Sequence, residues 1–284
     1  MEILKGADVV AAVSQKLKEE LTQFSDKLPH LAIVRIGERP DDLSYERGAK
    51  KRMETIGLRC STYSYPNTIT EQEFKQEFSL INSNPDIDGI LLLRPLPKHI
   101  DEKEIASIID PQKDVDGISP INMAKIFAGD CSGFAPCTAE AVIEMLEYAQ
   151  IPLTGKKAVI VGRSLVVGKP LSMLLLQKNC TVTICHTKTA DLISACKNAE
   201  ILIACAGKAK MLNNSHISTG TIIIDVGINI DENQKLCGDV DFESISSTAS
   251  LATPVPGGVG TVTTSVLAKH VIQSAIKRKH NPSN

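Results

Sequence analysis

The segment AVIVGRSLVVGKP, residues 158–170, constrains the fold of this chain more than any other part of its sequence. Its first four residues are apolar and predict a buried strand that ends at Gly162. Pro170 suits the first turn of a following helix, predicted over residues 171–178. At such a junction, backbone N–H groups and the helix dipole face a bound phosphate. The segment therefore predicts a nucleotide-binding βα unit.

The glycines of this segment depart from the usual dinucleotide-binding fingerprint, G-x-G-x-x-G. They are Gly162 and Gly168, and Ser164 stands where a middle glycine is usual. An ordinary strand–helix turn without a ligand is therefore the alternative interpretation of the segment when it is taken alone.

The composition describes an ordinary globular protein. With 284 residues, of which 43% are hydrophobic, the chain is long enough for two domains. A net charge of -2 argues against a nucleic-acid or membrane-surface partner. No apolar run reaches the length of a membrane span, and the N-terminal residues 1–21 are typical of an amphipathic helix, not of a signal peptide.

The eight cysteines are scattered and form no C-x-x-C pair. Several lie in apolar, strand-like segments, where cysteine behaves as a small hydrophobic residue. We therefore expect a reduced, cytoplasmic protein without a metal site.

Strand and helix patterns alternate along the chain in two series. The first series has strands at 31–37, 59–65 and 87–93 and helices at 43–56, 71–81 and 101–109. The second has a helix at 138–150, strands at 158–161, 181–185, 201–204 and 221–226, an extended segment at 251–260 and a final helix at 264–279. This order predicts the α/β class, with a mostly parallel sheet, and two domains, 1–137 and a Rossmann-type nucleotide-binding domain at 138–263. Residues 280–284 are predicted to be disordered.

The end of the second strand in the nucleotide-binding series indicates which dinucleotide binds. An acidic residue there bonds the 2′-hydroxyl of NAD and repels the 2′-phosphate of NADP. This chain has no acid there, and Arg163, Thr187 and Lys188 offer donors to a phosphate. We therefore expect NADP, with NAD as the alternative because Asp191 follows closely. His186 is interpreted as a hydrogen-bonded turn residue, not a catalytic base.

Ordered motifs extend along nearly the whole chain. They are DGIL at 88–91, PLP at 95–97, KDVDG at 113–117, PCT at 136–138, GRS at 162–164, VGKP at 167–170, CH at 185–186, IDVGIN at 224–229, GDV at 238–240 and PVPGGVG at 254–260. Together they resemble the bifunctional methylenetetrahydrofolate dehydrogenase/methenyltetrahydrofolate cyclohydrolase family (FolD). The resemblance implies two α/β domains with a folate cleft between them, a homodimer formed through the nucleotide-binding domains, and a last helix, 264–284, that returns to the N-terminal folate domain.

The family catalyses two steps of one-carbon folate metabolism. A hydride passes from 5,10-methylenetetrahydrofolate to the nicotinamide, which requires positioning and exclusion of water. Water then adds to the methenyl cation to give 10-formyltetrahydrofolate, which requires proton transfer. In the family, a tyrosine stacks on the folate, a lysine four residues later transfers protons, a glutamine holds that lysine, and an aspartate binds the pterin.

Two of these four residues are present in this chain. Tyr45 occupies the tyrosine position and Asp116 the aspartate position, whereas the lysine position falls on Ala49 and the glutamine position on Leu93. The cofactor motifs are intact, while both changes affect the same proton-transfer pair. We therefore expect an active dehydrogenase whose cyclohydrolase activity is weak or lost.

Two neighbouring cations are considered as replacements. Lys50 lies one residue beyond Ala49, and that step turns a helical side chain by about 100°. Arg94 lies one residue beyond Leu93, and neighbours in a strand face opposite sides. Neither is therefore expected to substitute for the missing pair.

The resemblance also implies residues that bind the two small molecules. Folate contacts are predicted for Tyr45, Leu93, Pro95, Asp116, Pro256, Gly257 and Gly258. Cofactor contacts are predicted for Gly162, Arg163, Ser164, Gly168, Thr187 and Ile228.

Two other functions stay open at this point. One is a complete bifunctional enzyme in which another residue or water transfers the protons, and the other is a non-catalytic nucleotide- or folate-binding protein. A metal pair at Asp114 and Asp116 is not expected, because one residue separates the acids and no histidine accompanies them. Cys137 is interpreted as buried, not as a nucleophile.

Overall fold

A computed structural model describes residues 1–25 and 27–280. The helices are α1 (Gly6–Leu21), α2 (Pro40–Ile56), α3 (Glu71–Ser83), α4 (Glu102–Ile108), α5 (Pro120–Ala128), α6 (Cys137–Tyr148), α7 (Gly168–Gln177), α8 (Leu192–Lys197) and α9 (Val259–His280). The strands are β1 (Glu2–Ile3), β2 (His30–Ile36), β3 (Arg59–Tyr65), β4 (Gly89–Leu92), β5 (Lys157–Val161), β6 (Thr181–Cys185), β7 (Ile201–Ala204), β8 (Ile222–Asp225), β9 (Asn229–Ile230), β10 (Leu236–Cys237) and β11 (Leu251–Ala252). The backbone of the predicted disordered tail is described only at residue 280, which ends α9; residues 281–284 lie outside the described part.

The described chain forms two compact units. The larger-sheet unit comprises residues 1–12 and 138–263, and the smaller-sheet unit comprises residues 13–137 and 264–280. Residues 1–12 differ from the predicted division because β1 pairs in parallel with β11, with Glu2 opposite Leu251. In the described residues, no helix combines the length and apolar character that a membrane crossing requires.

The larger sheet has the strand order β1-β11-β8-β7-β5-β6, and its neighbouring strands are parallel. Strands β5, β7 and β8 are near-continuous apolar runs, as expected for strands covered on both faces. Val161 and Cys185 are paired at the ends of β5 and β6, so the loops after these two strands begin side by side. The α/β class and the parallel sheet are thus confirmed.

The smaller sheet has the order β3-β2-β4 and is also parallel. Its apolar face packs on α3 and α4 through a core that includes Phe74, Phe78 and Ile105. An isolated parallel bridge joins Ile90 of β4 to Asp114, so the loop after residue 113 follows the direction of β4. This arrangement brings the end of β4 and the 113–117 loop to the same edge.

Several elements differ from the sequence-based predictions. Residues 1–21 were expected to be one helix, but they form β1 before α1 begins at Gly6. Helix α2 begins at Pro40, three residues before its predicted start, and the short strands β9 and β10 were not predicted. Helix α5 was not predicted, although Ser119 caps it by accepting the Asn122 N–H at 3.1 Å and Pro120 opens its first turn. Helix α9 begins at Val259, five residues before the predicted start, since the Thr261 N–H and hydroxyl both donate to the Gly258 carbonyl, at 3.1 and 2.7 Å. The extended segment therefore ends before residue 260. Helix α7 likewise begins at residue 168, ahead of the proline expected to open it.

Candidate active site

The loop between β5 and α7 requires both of its glycines. Gly162 has φ +140°, a conformation that L-residues with a side chain rarely adopt, and an added Cβ would overlap the carbonyl of Cys205. A Cβ added at Gly168 would overlap the carbonyl of Gly162. Ser164 closes the loop, since its Oγ accepts the Val167 N–H at 3.1 Å. Ser164, which stands where the usual fingerprint has its middle glycine, therefore stabilises the loop by this hydrogen bond.

The start of α7 presents features that suit an anion. The N-cap residue, Val167, contributes no side-chain acceptor to the first turn, and helix N-termini attract negative charge. Arg163 and Ser164 are exposed beside it. A nucleotide phosphate fits this junction of glycine loop, helix terminus and guanidinium.

The turn after β6 is closed by hydrogen bonds within residues 186–189. The backbone N–H of His186 donates to Thr189 Oγ1 at 2.8 Å, and His186 Nδ1 accepts the Lys188 N–H at 3.1 Å. The side chains of Thr187 and Lys188 are exposed. Asp191 accepts the Ser194 N–H at 2.9 Å as the cap of α8, so this acid is engaged in the helix terminus.

Two buried aspartates hold the loops that follow β7 and β8. Asp239 is fully buried and accepts the backbone N–H groups of residues 206, 207 and 208 at 2.6–3.0 Å. Asp225 accepts the Asp239 and Val240 N–H groups, and burial raises its pKa to about 6. A Cβ at Gly227 or Gly238 would overlap one of these carboxylates. The IDVGIN and GDV motifs therefore have a structural role that sequence reasoning did not assign.

The predicted contact residues near the start of α9 differ in exposure. Pro256 and Gly257 are exposed, and Gly257 has φ +98°. Gly258 is buried, and a Cβ there would overlap the Pro254 carbonyl. Ile228 is 66% exposed, which is unusual for an isoleucine and leaves an apolar surface on the larger-sheet unit.

In the smaller-sheet unit, Tyr45 lies close to Asp116. Tyr45 is half-buried on α2, and burial, with the nearby Cys137 and Asp116, raises its pKa well above the usual value. Asp116 is also half-buried, and its Oδ1 accepts the Cys137 N–H at 3.2 Å. The structure thus brings together the two family residues that this sequence retains.

The two acids of the 113–117 loop have separate roles. Asp114 is fully buried and accepts the backbone N–H groups of Ile118 and Ser119 at 2.9 and 2.8 Å, and Asn122 Nδ2 at 2.9 Å. Asp116 remains partly accessible. Among the residues that the structure describes, no group of three or more His, Cys, Asp or Glu side chains is arranged to hold a metal ion.

The segment after β4 is held from two sides. Leu93 is buried and donates its N–H to the Val34 carbonyl at 2.9 Å. Arg39 donates to the carbonyls of Arg94 and Pro95 at 3.1 and 3.0 Å. Glu102 accepts Arg94 Nη1 at 3.1 Å. The Arg94–Pro95 peptide is cis, and Pro95 is exposed. Arg39 and Glu102 were not predicted, because nothing in their local sequence shows that they reach this segment.

The two cations considered as replacements, Lys50 and Arg94, lie in different surroundings. Lys50 Nζ lies 2.6 Å from Glu46 Oε1, and Arg35 Nε lies 2.8 Å from Glu46 Oε2, so this lysine is held by a buried acid. Arg94, in contrast, lies near Asp116: burial raises the pKa of that carboxyl group, and the Cys137 N–H and the charge of Arg94 only partly oppose the rise. Because β4 ends at residue 92, strand alternation does not fix the direction of the Arg94 side chain, and the expectation that Arg94 does not replace the missing pair stays a prediction.

The lysine and glutamine positions are closed to solvent. Ala49 follows Tyr45 by four residues on α2, so both lie on the same helix face, and Ala49 is 0% exposed. Leu93 is 5% exposed. This part of the site is therefore apolar where the family carries an amine and an amide.

Cys137 is buried, in agreement with its interpretation. Its Sγ lies 3.3 Å from the Val115 carbonyl oxygen and 3.8 Å from Nδ1 of His270. His270 Nδ1 also donates to the Val115 carbonyl, at 2.8 Å. Sequence reasoning missed this histidine because it lies 133 positions away, on α9.

Two family models match this chain. Residues 4–116 match the tetrahydrofolate dehydrogenase/cyclohydrolase catalytic domain, and residues 136–279 match its NAD(P)-binding domain. The bifunctional protein FolD of Clostridium kluyveri is 48% identical over 280 residues, which cover 98% of this chain and 98% of that protein.

Solved structures give the same result. The bifunctional FolD enzyme of Campylobacter jejuni superimposes with a TM-score of 0.95 at 37% identity, covering 98% of this chain and 99% of the other. The FolD of Trypanosoma brucei, solved with NADP and an inhibitor, gives a TM-score of 0.91 at 30% identity over 98% of both chains. The resemblance drawn from the ordered motifs is confirmed. The chain therefore belongs to the tetrahydrofolate dehydrogenase/cyclohydrolase family and is an NAD(P)-dependent dehydrogenase of folate-bound one-carbon units.

Proposed function

We propose that this protein oxidises 5,10-methylenetetrahydrofolate to 5,10-methenyltetrahydrofolate with NADP, and that its cyclohydrolase activity is weak or lost. One observation carries the proposal. The chain retains Tyr45 and Asp116 close together, while Ala49 and Leu93 are buried apolar residues at the two proton-transfer positions. In the family, the two retained residues bind and orient the folate, whereas the lysine and glutamine that are replaced here carry out proton transfer.

The dehydrogenase step requires little acid–base chemistry from the protein. The half-buried Tyr45 stacks on the folate, and the half-buried carboxylate of Asp116 accepts hydrogen bonds from the N–H groups of the pterin. Bound NADP supplies the hydride acceptor. Gly162, Ser164 and Gly168 form the loop that admits its phosphates, beside Arg163.

The cyclohydrolase step has no proton carrier at the family positions. Adding water to the methenyl cation requires a group that takes a proton and then returns one. Lys50 is paired with Glu46, and a guanidinium such as Arg94 stays protonated at any ordinary pH. Alanine and leucine offer neither a proton acceptor nor an anchor for a water molecule.

A complete bifunctional enzyme is the second candidate. The names of the relatives favour it, since the Clostridium kluyveri protein and others are called bifunctional. Under this alternative, a residue outside the family positions, or water alone, transfers the protons.

Product analysis distinguishes the two candidates. The purified protein is expected to reduce NADP with methylenetetrahydrofolate and to accumulate the methenyl product, which then hydrolyses only at the spontaneous rate. Resolving methenyl and formyl products over time checks this result. Enzyme-dependent formation of 10-formyltetrahydrofolate, proportional to protein concentration, supports the bifunctional alternative and contradicts the proposal.

The preference for NADP is proposed to depend on Arg163 and Lys188. Both side chains are exposed, and the acid nearest to this turn, Asp191, caps α8. Changing both cations to alanine is expected to raise the KM for NADP about tenfold or more and to leave the KM for NAD nearly unchanged. Steady-state kinetics with each cofactor check this prediction. An equal effect on both cofactors shows that these residues do not read the 2′-phosphate.

Two further features stay proposals. The homodimer is proposed from the resemblance, and the cytoplasmic location is proposed from the scattered cysteines, which form no C-x-x-C pair.

A further inference from the structure

Arg94 lies two residues after the end of β4, next to Leu93, which stands where the family has a glutamine. We propose that Arg94 is a substrate-positioning residue: its guanidinium, oriented by Glu102, acts through space on Asp116 and favours the form of that side chain that binds the pterin. The inference rests on the proposed function and adds a residue that the family pattern of tyrosine, lysine, glutamine and aspartate does not contain.

Backbone geometry places the two side chains at one edge of the smaller sheet. The bridge between Ile90 and Asp114 aligns the 113–117 loop with β4, so Asp116 lies alongside the end of that strand. Arg94 follows the end of the strand by two residues. Both groups therefore emerge at the carboxyl end of β4.

A network of ion pairs and hydrogen bonds fixes Arg94. Glu102 accepts Arg94 Nη1 at 3.1 Å through one oxygen and the Leu96 N–H at 3.2 Å through the other. Arg39 donates to the Arg94 carbonyl, and its guanidinium also pairs with Asp42 at 2.9 Å. The guanidinium, with a side chain only 22% exposed, is thus held in place before any substrate binds.

Several groups act on the Asp116 carboxyl group. Burial raises its pKa, and Asp114 acts in the same direction. The Cys137 N–H and the charge of Arg94 act in the opposite direction, and Tyr45 lies beside the carboxyl group in its uncharged form. Asp116 accepts its hydrogen bonds from Cys137, so Arg94 exerts its effect without occupying an oxygen that the substrate needs.

The chemistry of the pterin explains why this matters. Its ring N–H and neighbouring amino group are adjacent donors, and an ionised carboxylate accepts two parallel hydrogen bonds where a protonated acid accepts fewer. A guanidinium keeps its own proton, so Arg94 strengthens substrate binding without restoring proton transfer. This property accounts for a site that binds and oxidises folate but lacks the cyclohydrolase pair.

The test compares Arg94→Gln with the unchanged protein. Glutamine keeps a donor for Glu102 and removes the charge. Anaerobic calorimetry with tetrahydrofolate over a pH series is expected to show weaker binding, by about tenfold at the acid end and by less as the pH rises, because the pKa of Asp116 rises when the cation is removed. The acid limb of kcat/KM for methylenetetrahydrofolate is expected to move to higher pH. NADP binding is expected to stay the same.

Three further variants make the result specific. Arg94→Lys is expected to restore most of the binding at the acid end of the series. Lys98→Leu removes an exposed cation four residues further along the chain and is expected to change neither the affinity for tetrahydrofolate nor its pH dependence. In an Asp116→Asn background, Arg94→Gln is expected to have no further effect. An equal loss in that background, or an unchanged pH profile in Arg94→Gln, overturns the proposal. If the unchanged protein fails to bind tetrahydrofolate, the proposed function falls as well.

Discussion

Replacing Ala49 by lysine together with Leu93 by glutamine is expected to raise hydrolysis of methenyltetrahydrofolate at least about 100-fold above that of the unchanged protein. Positioned proton transfer contributes about 10²–10⁴-fold to such reactions, and the double change supplies both the proton carrier and its partner. The dehydrogenase is expected to remain active, since Tyr45 and Asp116 are untouched. Loss of methenyl absorbance in a stopped assay, with the formyl product quantified, measures the effect.

Burial makes this replacement demanding. Ala49 is 0% exposed and Leu93 5% exposed, so the lysine adds volume to a closed region. Overpacking of this kind costs about 1–3 kcal/mol, which a folded domain tolerates. Desolvation in an apolar region also lowers the pKa of a lysine, and the side-chain carbonyl of the glutamine can accept a hydrogen bond from the lysine amine. Hydrolysis is therefore expected to rise only in the double variant, and neither single change is expected to raise it.

Ala49→Met with Leu93→Gln is the matched control. Methionine fills a volume close to that of lysine but carries no amine, so this variant separates packing from proton transfer. Melting temperatures of both variants show whether the fold is kept. The proposed role of these two positions is contradicted if a folded lysine–glutamine variant oxidises methylenetetrahydrofolate but hydrolyses the methenyl product no faster than the methionine control.

The sequence predicted those parts of the site that local patterns encode. The strand–glycine–helix junction at residues 158–170 follows from apolar periodicity and from the conformational freedom of glycine, and the structure contains it. The replacements at Ala49 and Leu93 follow from motif spacing. Helix α5 was not predicted, but it could have been, since Ser119 and Pro120 are ordinary helix-start signals.

Contacts between residues that are distant in the sequence could not be predicted from local patterns. Asp114 and Asp116 are chemically identical and two positions apart, yet only the backbone path shows that the first is buried and the second partly accessible. His270 meets Cys137 across 133 positions. Strand alternation does not define the direction of the Arg94 side chain, because the strand ends two residues earlier, at a boundary that periodicity does not predict.

Gly162→Ala is expected to cause the second large effect, a loss of both stability and NADP binding. Its φ of +140° costs an alanine about 1–3 kcal/mol, and the added Cβ would overlap the carbonyl of Cys205. The overlap pushes apart the loops after β5 and β7, where the phosphates of NADP are proposed to bind. We expect a loss of more than about 3 kcal/mol in the free energy of unfolding and at least about 100-fold in NADP affinity.

Alanine substitutions at two other glycines distinguish the cost of backbone strain from the cost of steric overlap by the added Cβ. Gly155 has φ +78° and no atom within 4 Å of an added Cβ, so Gly155→Ala carries the backbone strain alone and is expected to bind NADP normally. Gly168 is helical, and Gly168→Ala carries the overlap with the Gly162 carbonyl without the positive φ. Denaturant titrations and NADP calorimetry on the three variants measure each contribution. If Gly162→Ala and Gly155→Ala have the same stability and the same NADP affinity, the close approach of the Cys205 carbonyl to Gly162 does not explain the glycine. Its positive φ in the turn is then the sole requirement.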